Sequence, residues 1–451
     1  MSVNYRERYQ LLIIMKRSFS NNRSQCRPIS VFTFVLLNIF LLASGSSNAQ
    51  TFTSSPYSRY GIGDVNQGSF SQNFAMGSTG IALSNPTFVN LLNPASYSFE
   101  LTVFEIGLKS NSVQLSNDSL IQNSNNTSLA YLAFGIPLTK WWGVSFGLLP
   151  YSSVGYNIGN QEDRLNIGSV QYLYEGSGGI NKAYIGNSFK IKEKFSVGFN
   201  ASYLFGTLNK ERRAIYDNSL VPFNTRITNS TVISDFTFDF GVQYKQKLSE
   251  KWNLDLGAVY AAEDNINASN HFLAVTYKPG TVNDQIKDTV AFSIDEKGKI
   301  TLPQSMGFGF SLQRGNNLLI AADYSMKDWS TYKSFGQTDS LKNSSQVSIG
   351  AHYTPDPNAV TTVSGYWKII EYRVGIRYAD THLQLKNTPI KEYGISFGTG
   401  LPLRRSRSVI NIGFELGQRG TTESGLIKEQ FINANFGITI NDKWFKKRKY
   451  D

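Results

Sequence analysis

The sequence is short of cysteine, histidine and charge: one Cys, three His and 17% Asp, Glu, Lys and Arg in 451 residues. A lone Cys26 excludes a disulfide scaffold and leaves no thiolate set for a metal. His271, His352 and His382 are not at metal-ligand spacing, so neither metal nor other cofactor is expected. Charges fall below the roughly 25% of an average soluble protein. With 41% hydrophobic residues, disorder and collagen are excluded as well. Only one long apolar run exists, near the N-terminus, which excludes a bundle of membrane helices. Phosphate-binding glycine loops are missing too; Gly61-Ile62-Gly63 and Gly307-Phe308-Gly309 read as a turn and a strand face. What the chain does have is glycine (38 residues) and aromatics (13%), with a mean hydropathy of −0.25. That is the composition of a β-rich protein whose apolar residues are dispersed.

Residues 1–49 read as a secretory signal peptide. Arg23 and Arg27 precede the apolar run 31–43, and Ser47-Asn48-Ala49 makes the small-x-small exit before Gln50. Met15, followed by Lys16 and Arg17, serves equally well as a start. Cys26 lies ahead of the apolar run, so it is no lipid-modified residue after a cleavage site. Removing this signal lowers the formal net charge from +11 to +6. Five of the remaining positives (Lys443, Lys446, Lys447, Arg448 and Lys449) sit in a basic tail over 442–451, so no nucleic-acid partner is expected.

From 102 to 441 one pattern repeats. Phe195, Val197, Phe199, Ala201, Tyr203 and Phe205 alternate with Ser196, Gly198, Asn200, Ser202, Leu204 and Gly206. The phase recurs in Met306–Leu312, Tyr393–Phe397, Ile410–Leu416 and Ile432–Ile440. Period two puts each apolar set on one strand face. In a soluble sandwich the other face would carry Lys and Glu; here it carries mostly Gly, Ser, Asn and Thr. Small polar residues suit a wet, crowded barrel interior, and aromatics and aliphatics suit lipid. Three upward segments share one frame: Lys140-Trp141-Trp142-Gly143, Lys194-Phe195-Ser196 and Lys251-Trp252-Asn253. Trp142, Phe195 and Trp252 are accordingly candidate interfacial aromatics at the headgroup level.

Connections alternate between short turns (137–140, 190–194, 247–251, 314–316, 402–407) and long Asn/Ser/Asp-rich stretches (111–126, 152–178, 210–230, 263–302, 326–343, 379–391, 418–428). Outer-membrane barrels place short turns in the periplasm and long connections outside. The connection 354–367 is long but falls on the short side. The count is about fourteen strands, with 263–302 expected to form an extra hairpin above the membrane. An open sheet edge in hydrocarbon leaves backbone groups unpaired at several kcal/mol each, so 432–440 is expected to pair with 103–109. The fold class is therefore all-β: a transmembrane antiparallel barrel in the outer membrane of a diderm bacterium, in contact with lipid and lipopolysaccharide.

Residues 50–101 do not alternate. Glycine density, with Gly77 and Gly80, and the turn-forming Asn93-Pro94-Ala95 suggest an irregular hatch or plug, most economically placed in the lumen. A glycine-rich N-terminal hatch, the Asn93-Pro94-Ala95 motif and fourteen strands together resemble the FadL-type family of hydrophobic-compound transporters. The opening Pro56-Tyr57-Ser58-Arg59-Tyr60-Gly61 and the ending Asn441-Asp442-Lys443-Trp444-Phe445 resemble an uncharacterised outer-membrane barrel branch grouped near it. That resemblance implies a channel passing long-chain, fatty-acid-like molecules, with a hydrophobic ligand in the lumen and an inward strand kink opening to the membrane. Leu149, Leu204 and Val259 break the small-polar inner set and are expected to pack against the hatch rather than line a greasy pocket. The alternative is a barrel subunit of an outer-membrane assembly or secretion complex that transports nothing and binds partner proteins. An enzyme is not expected: His352, the one residue a Ser/His lipase of the barrel wall would use, reads as a hydrogen-bonded filler.

Overall fold

The computed structural model describes residues 53–443, apart from 119, 166, 217–220, 281–282, 360–362 and 405. The signal peptide and most of the basic tail lie outside the described residues.

Alternation becomes sixteen long strands: β1 (Thr102–Ser116), β2 (Ile121–Pro137), β3 (Trp142–Arg164), β4 (Gly168–Ile191), β5 (Phe195–Tyr216), β6 (Asn224–Lys247), β7 (Trp252–Ala261), β8 (Asp264–Lys278), β9 (Gln285–Leu302), β10 (Ser305–Arg314), β11 (Leu318–Lys327), β12 (Ser344–Tyr353), β13 (Glu371–Leu385), β14 (Thr388–Pro402), β15 (Val409–Arg419) and β16 (Lys428–Asp442). Fourteen of them form a closed antiparallel ring. The step from β7 goes directly to β10, with Ser305 opposite Ala261 and Arg314 opposite Trp252. The hairpin β8–β9 rises from that step and pairs with the far half of β6, Asn224 lying opposite Tyr277. Closure comes from β16 on β1, in register from Lys428↔Ser116 to Asp442↔Thr102. No strand edge is left open to hydrocarbon at this junction, as the backbone requires.

Exposure follows the period. Phe236, Phe238 and Phe240 of β6 are 58%, 50% and 50% exposed, and Ile395 of β14 is 56% exposed. Their neighbours Asn200, Ser202, Gln243, Ser396 and Asn435 are buried on the inner face. Greasy side chains therefore form an outer band and small polar ones the inner wall.

The long Asn/Ser/Asp-rich connections are mostly not irregular loops. Between Ser152 and Gly178 the ladder continues to Arg164↔Gly168, and between Asn111 and Asn126 it continues to Ser116↔Ile121. Aromatic and β-branched residues such as Tyr156, Ile158, Tyr172 and Tyr174 keep the alternation going, so the hairpins extend beyond the apolar band. The connection 354–370 at the short-turn end contains a short helix, Val363–Ile369.

Candidate functional site

Residues 53–101 run inside the ring from the long-loop end to the short-turn end. At the first end Ser124 Oγ and Asn126 Nδ2 donate to Ser54 Oγ (2.8 and 3.1 Å), and Gly61 N–H donates to Asp339 Oδ2 (2.6 Å). At the second, Glu100 pairs with Arg407 of the 403–408 turn (2.8 Å). Between them the described chain makes short helices, Ser71–Phe74 and the 3-10 turns Pro56–Arg59 and Pro94–Ser96, and a two-residue strand, Asp64–Val65. Its backbone polar groups are instead satisfied by the wall. Asp323 Oδ2 of β11 accepts from Gly80 and Ile81 N–H (2.6 and 2.9 Å), Ser396 Oγ of β14 accepts from Gly77 N–H (2.6 Å), and Gln243 Nε2 of β6 donates to the Ile81 and Leu83 carbonyls. A buried irregular segment needs such partners for every group.

The motif residues sit at the tightest contacts. Asn93 Nδ2 donates to the Ile81 carbonyl (2.7 Å) and to the Val242 carbonyl of β6 (3.1 Å), while its Oδ1 caps the following turn at Ala95 N–H (3.0 Å). Ser188 Oγ of β4 donates to the Ala95 carbonyl (2.9 Å). Pro94 and Asn93 lie directly on wall glycines 198 and 241, where a Cβ would collide with the Pro94 carbonyl and the Asn93 amide. Gly77 has φ +70°, and a Cβ there would meet the Ile376 carbonyl at 2.8 Å. Both the left-handed backbone and the close approach require glycine. Leu149 packs with Phe70, Val89, Tyr97 and Phe99 of this segment, and Leu204 with Ile62.

A charged cluster fastens the segment at its N-terminal part. Arg419 of β15 donates to Asp64 Oδ1 (2.8 Å) and Ser55 Oγ (2.6 Å) and pairs with Glu429 of β16 (2.6 Å). Ser55 Oγ donates to Glu429 (2.5 Å). One layer deeper Arg377 of β13 bridges Glu392 (2.5 Å) and Glu415. Burial, then the nearby Glu429 carboxylate, push the Tyr57 phenol up to about 12, which keeps it the donor to the Ile427 carbonyl. Sequence reading missed this cluster. The available signal was that Arg373 and Arg377 share the inward phase, opposite to Val374, Ile376 and Tyr378.

A cavity of about 550 Å³ remains in the lumen. Phe70, Leu91 and Met306 contribute to its wall, and so do Lys109, Arg377 and Glu392. The space is thus bordered by charge as well as by apolar carbon.

Among the described residues the wall parts at one seam. β2 and β3 pair only from Leu132↔Leu148 to Pro137↔Gly143, although both strands run on well beyond. Above that point β3 bulges between Pro150 and Ser152. Its freed edge pairs with residues 64–65 (Asp64↔Ser153, Val65↔Ser152). Asn66 Nδ2 donates to the Pro150 carbonyl (3.2 Å). The N-terminal segment therefore fills the parted seam. Pro150 in mid-strand, where a proline removes a ladder donor, was the sequence signal for it.

Trp142, Phe195 and Trp252 are the first residues of β3, β5 and β7, at the short-turn end. Trp142 stacks on Trp141 and Phe189, and Arg314 lies 5.9 Å over Trp252. His352 Nε2 bonds Thr354 Oγ1 at 3.0 Å, two residues along its own chain.

A fourteen-strand ring with its lumen occupied by the N-terminal segment defines the class: an outer-membrane barrel of the FadL-like fold. The Pseudomonas putida toluene transporter TodX superposes with a TM-score of 0.55 at 18% identity, covering 84% of this chain and 98% of that one. A Pseudomonas aeruginosa FadL homologue does so with 0.51 at 11% identity, covering 84% and 98%. Among curated proteins no sequence match exists. The particular family is given by a model named BamG, which matches residues 32–451; the chain belongs to that family.

Proposed function

We propose that this barrel is a plugged, non-transporting subunit of an outer-membrane barrel-assembly complex, with residues 50–101 acting as a fixed hatch. The observation that carries this reading is how the lumen is filled. Transport along it requires the segment to move, and movement would break the Asp64–Arg419–Glu429 cluster, the Asn93 bonds and the seating on wall glycines together. Arg419 would keep Glu429 but lose Asp64 and Ser55, and a hydrogen bond to a charged group is worth about 1.5–3 kcal/mol. An apolar solute gains about 0.8 kcal/mol per buried CH₂, but beside Lys109, Arg377 and Glu392 it would also strip water from charges. The family's name, BamG, carries the prefix of the barrel-assembly machinery and agrees with this reading. In it the short turns face the periplasm, the extended hairpins face outward, and Trp142, Phe195 and Trp252 sit at the inner headgroup level.

Purification under mild detergent tests it. Stoichiometric recovery of outer-membrane assembly proteins with a tagged chain is expected; an isolated monomer carrying bound hydrocarbon or lipid would overturn it. One observation favours a second reading, a channel for small apolar molecules. The parted β2–β3 seam is where a side exit to lipid would lie, and the cavity reaches Leu129 and Tyr151 on its two edges.

A further inference from the structure

At the short-turn end a second cleft, of about 450 Å³, opens between the end of the N-terminal segment and the turns of β2–β6. That volume lies within the range of ordinary ligand pockets, roughly 300–1,000 Å³. Lys140, Lys190 and Lys245 converge on it, beside the hydroxyls of Ser84, Ser98 and Thr139. Phe99, Pro86 and Pro137 supply apolar wall. Its one carboxylate, Glu100, is already held by Arg407 at 2.8 Å. Lys190 meets only Glu193, whose side chain is 90% exposed. Lys245 faces Asp255 across the β6–β7 ladder, yet among the described residues no carboxylate lies within ion-pair distance of Lys140 or Lys245. Around the rim, Lys192, Lys194 and Lys251 extend the positive field, with Glu250 the nearest opposing charge in those turns besides Glu193.

We propose that this cleft is a docking site for an extended, carboxylate-rich peptide segment of a periplasmic partner protein. Three features select that chemistry. Ammonium groups on flexible stems suit carboxylates spaced along a chain, whereas a guanidinium fork would favour a single planar anion. The hydroxyls and apolar wall offer bonds to a peptide backbone and cover for side-chain stems. Lys190 and Lys245 point into the mouth, in the phase opposite to lipid-facing Phe189 and Tyr244, so the cleft opens to the periplasm rather than to bilayer headgroups. The inference rests on the subunit reading, which supplies the partner.

The test titrates a fluorescent glutamate-rich peptide onto the full-length protein in detergent. Binding is expected to weaken with salt and to fall roughly tenfold or more in Lys140→Glu/Lys190→Glu/Lys245→Glu, as for a charge-steered interface. Lys→Gln changes at the same three sites serve if reversal blocks folding, which heat-modifiable migration on gels reports. Lys297→Glu at the opposite end should leave binding unchanged. Equal affinity in the triple variant, or binding of phosphatidylglycerol vesicles with no binding of peptide, overturns the proposal. Co-purification is read separately. If the triple variant loses peptide but keeps its partners, the cleft is not the contact and the subunit reading stands. Peptide bound by a chain that recovers no partner keeps the cleft and sinks the subunit reading.

Discussion

Asn93 shows what one side chain does in a filled barrel. It donates to the segment's own Ile81 carbonyl and to Val242 of the wall, and it caps the Pro94–Ser96 turn. Asn93→Ala leaves the buried Ala95 N–H without its cap and the Ile81 carbonyl to Gln243 alone, and should cost about 1–3 kcal/mol, read as a lowered midpoint in thermal unfolding in detergent. Gly241→Val pushes two methyl groups into the same asparagine and should cost a similar amount, about 1–3 kcal/mol, by overpacking. Combined with Asn93→Ala, the glycine substitution should cost less than the sum, because the amide it strikes is gone. A second residue-scale expectation concerns Arg377. Replacing it by Met leaves Glu415 to Asn433 and Glu392 to Arg419 at 4.0 Å, and should destabilise by about 3 kcal/mol, more than Arg407→Met, whose partner Glu100 is well exposed. At this scale the sequence was legible where residue type is demanding. The Asn-Pro-Ala motif and Gly77 stand out because few residues turn or approach so closely. Inward-facing charges were not recognised as a cluster, since Asp64 and Ser55 come from the far end of the chain and the rest meet only through a strand register that alternation does not give.

At the scale of elements, the strands were the readable part, because period two repeats wherever one face meets lipid. That argument predicts faces, and Phe195, Phe308, Ile395 and Ile432 are all exposed on the outer one. It says less about where a ladder parts: Pro150 and the phase slip at the β3 bulge mark the place, but not which edges stay paired beyond it. Only hydrogen-bond partners distinguish a paired strand from a parted one, and those belong to the neighbour. The seam makes an expectation of its own. Deleting residues 53–66 removes Ser54, Asp64 and Val65 from it, and the shortened protein should conduct ions in planar bilayers where the intact protein stays closed. Unchanged conductance would mean that the strand edges close without the segment.

For the whole molecule, the two ends differ. The β8–β9 hairpin carries Val290 and Phe292 at 66% and 69% exposure beyond the ring, while the opposite end has short lysine-bearing turns and the helical connection 354–370. Cys26 is the single cysteine and lies in the stretch read as a signal, so residues 50–451 offer no competing thiol. Val290→Cys should therefore be labelled by a membrane-impermeant maleimide on intact cells, and Lys192→Cys only after the outer membrane is opened. The reverse pattern would invert the orientation used here.

The direction of the N-terminal segment has a bearing on how the molecule is made. Ser54 is tied to the tip-side halves of β2, and Ser55 to the start of β16, whereas Thr102 begins β1 at the far rim beside Asp442. The first described residues of the segment thus lie at the long-hairpin end, with the rest strung behind them toward the short turns. A ring zipped shut while empty would have to admit a free tail afterwards and feed it the full depth of a narrow bore. Laying the strands around a tail already in place would avoid that passage, with the ring closing where β16 joins β1.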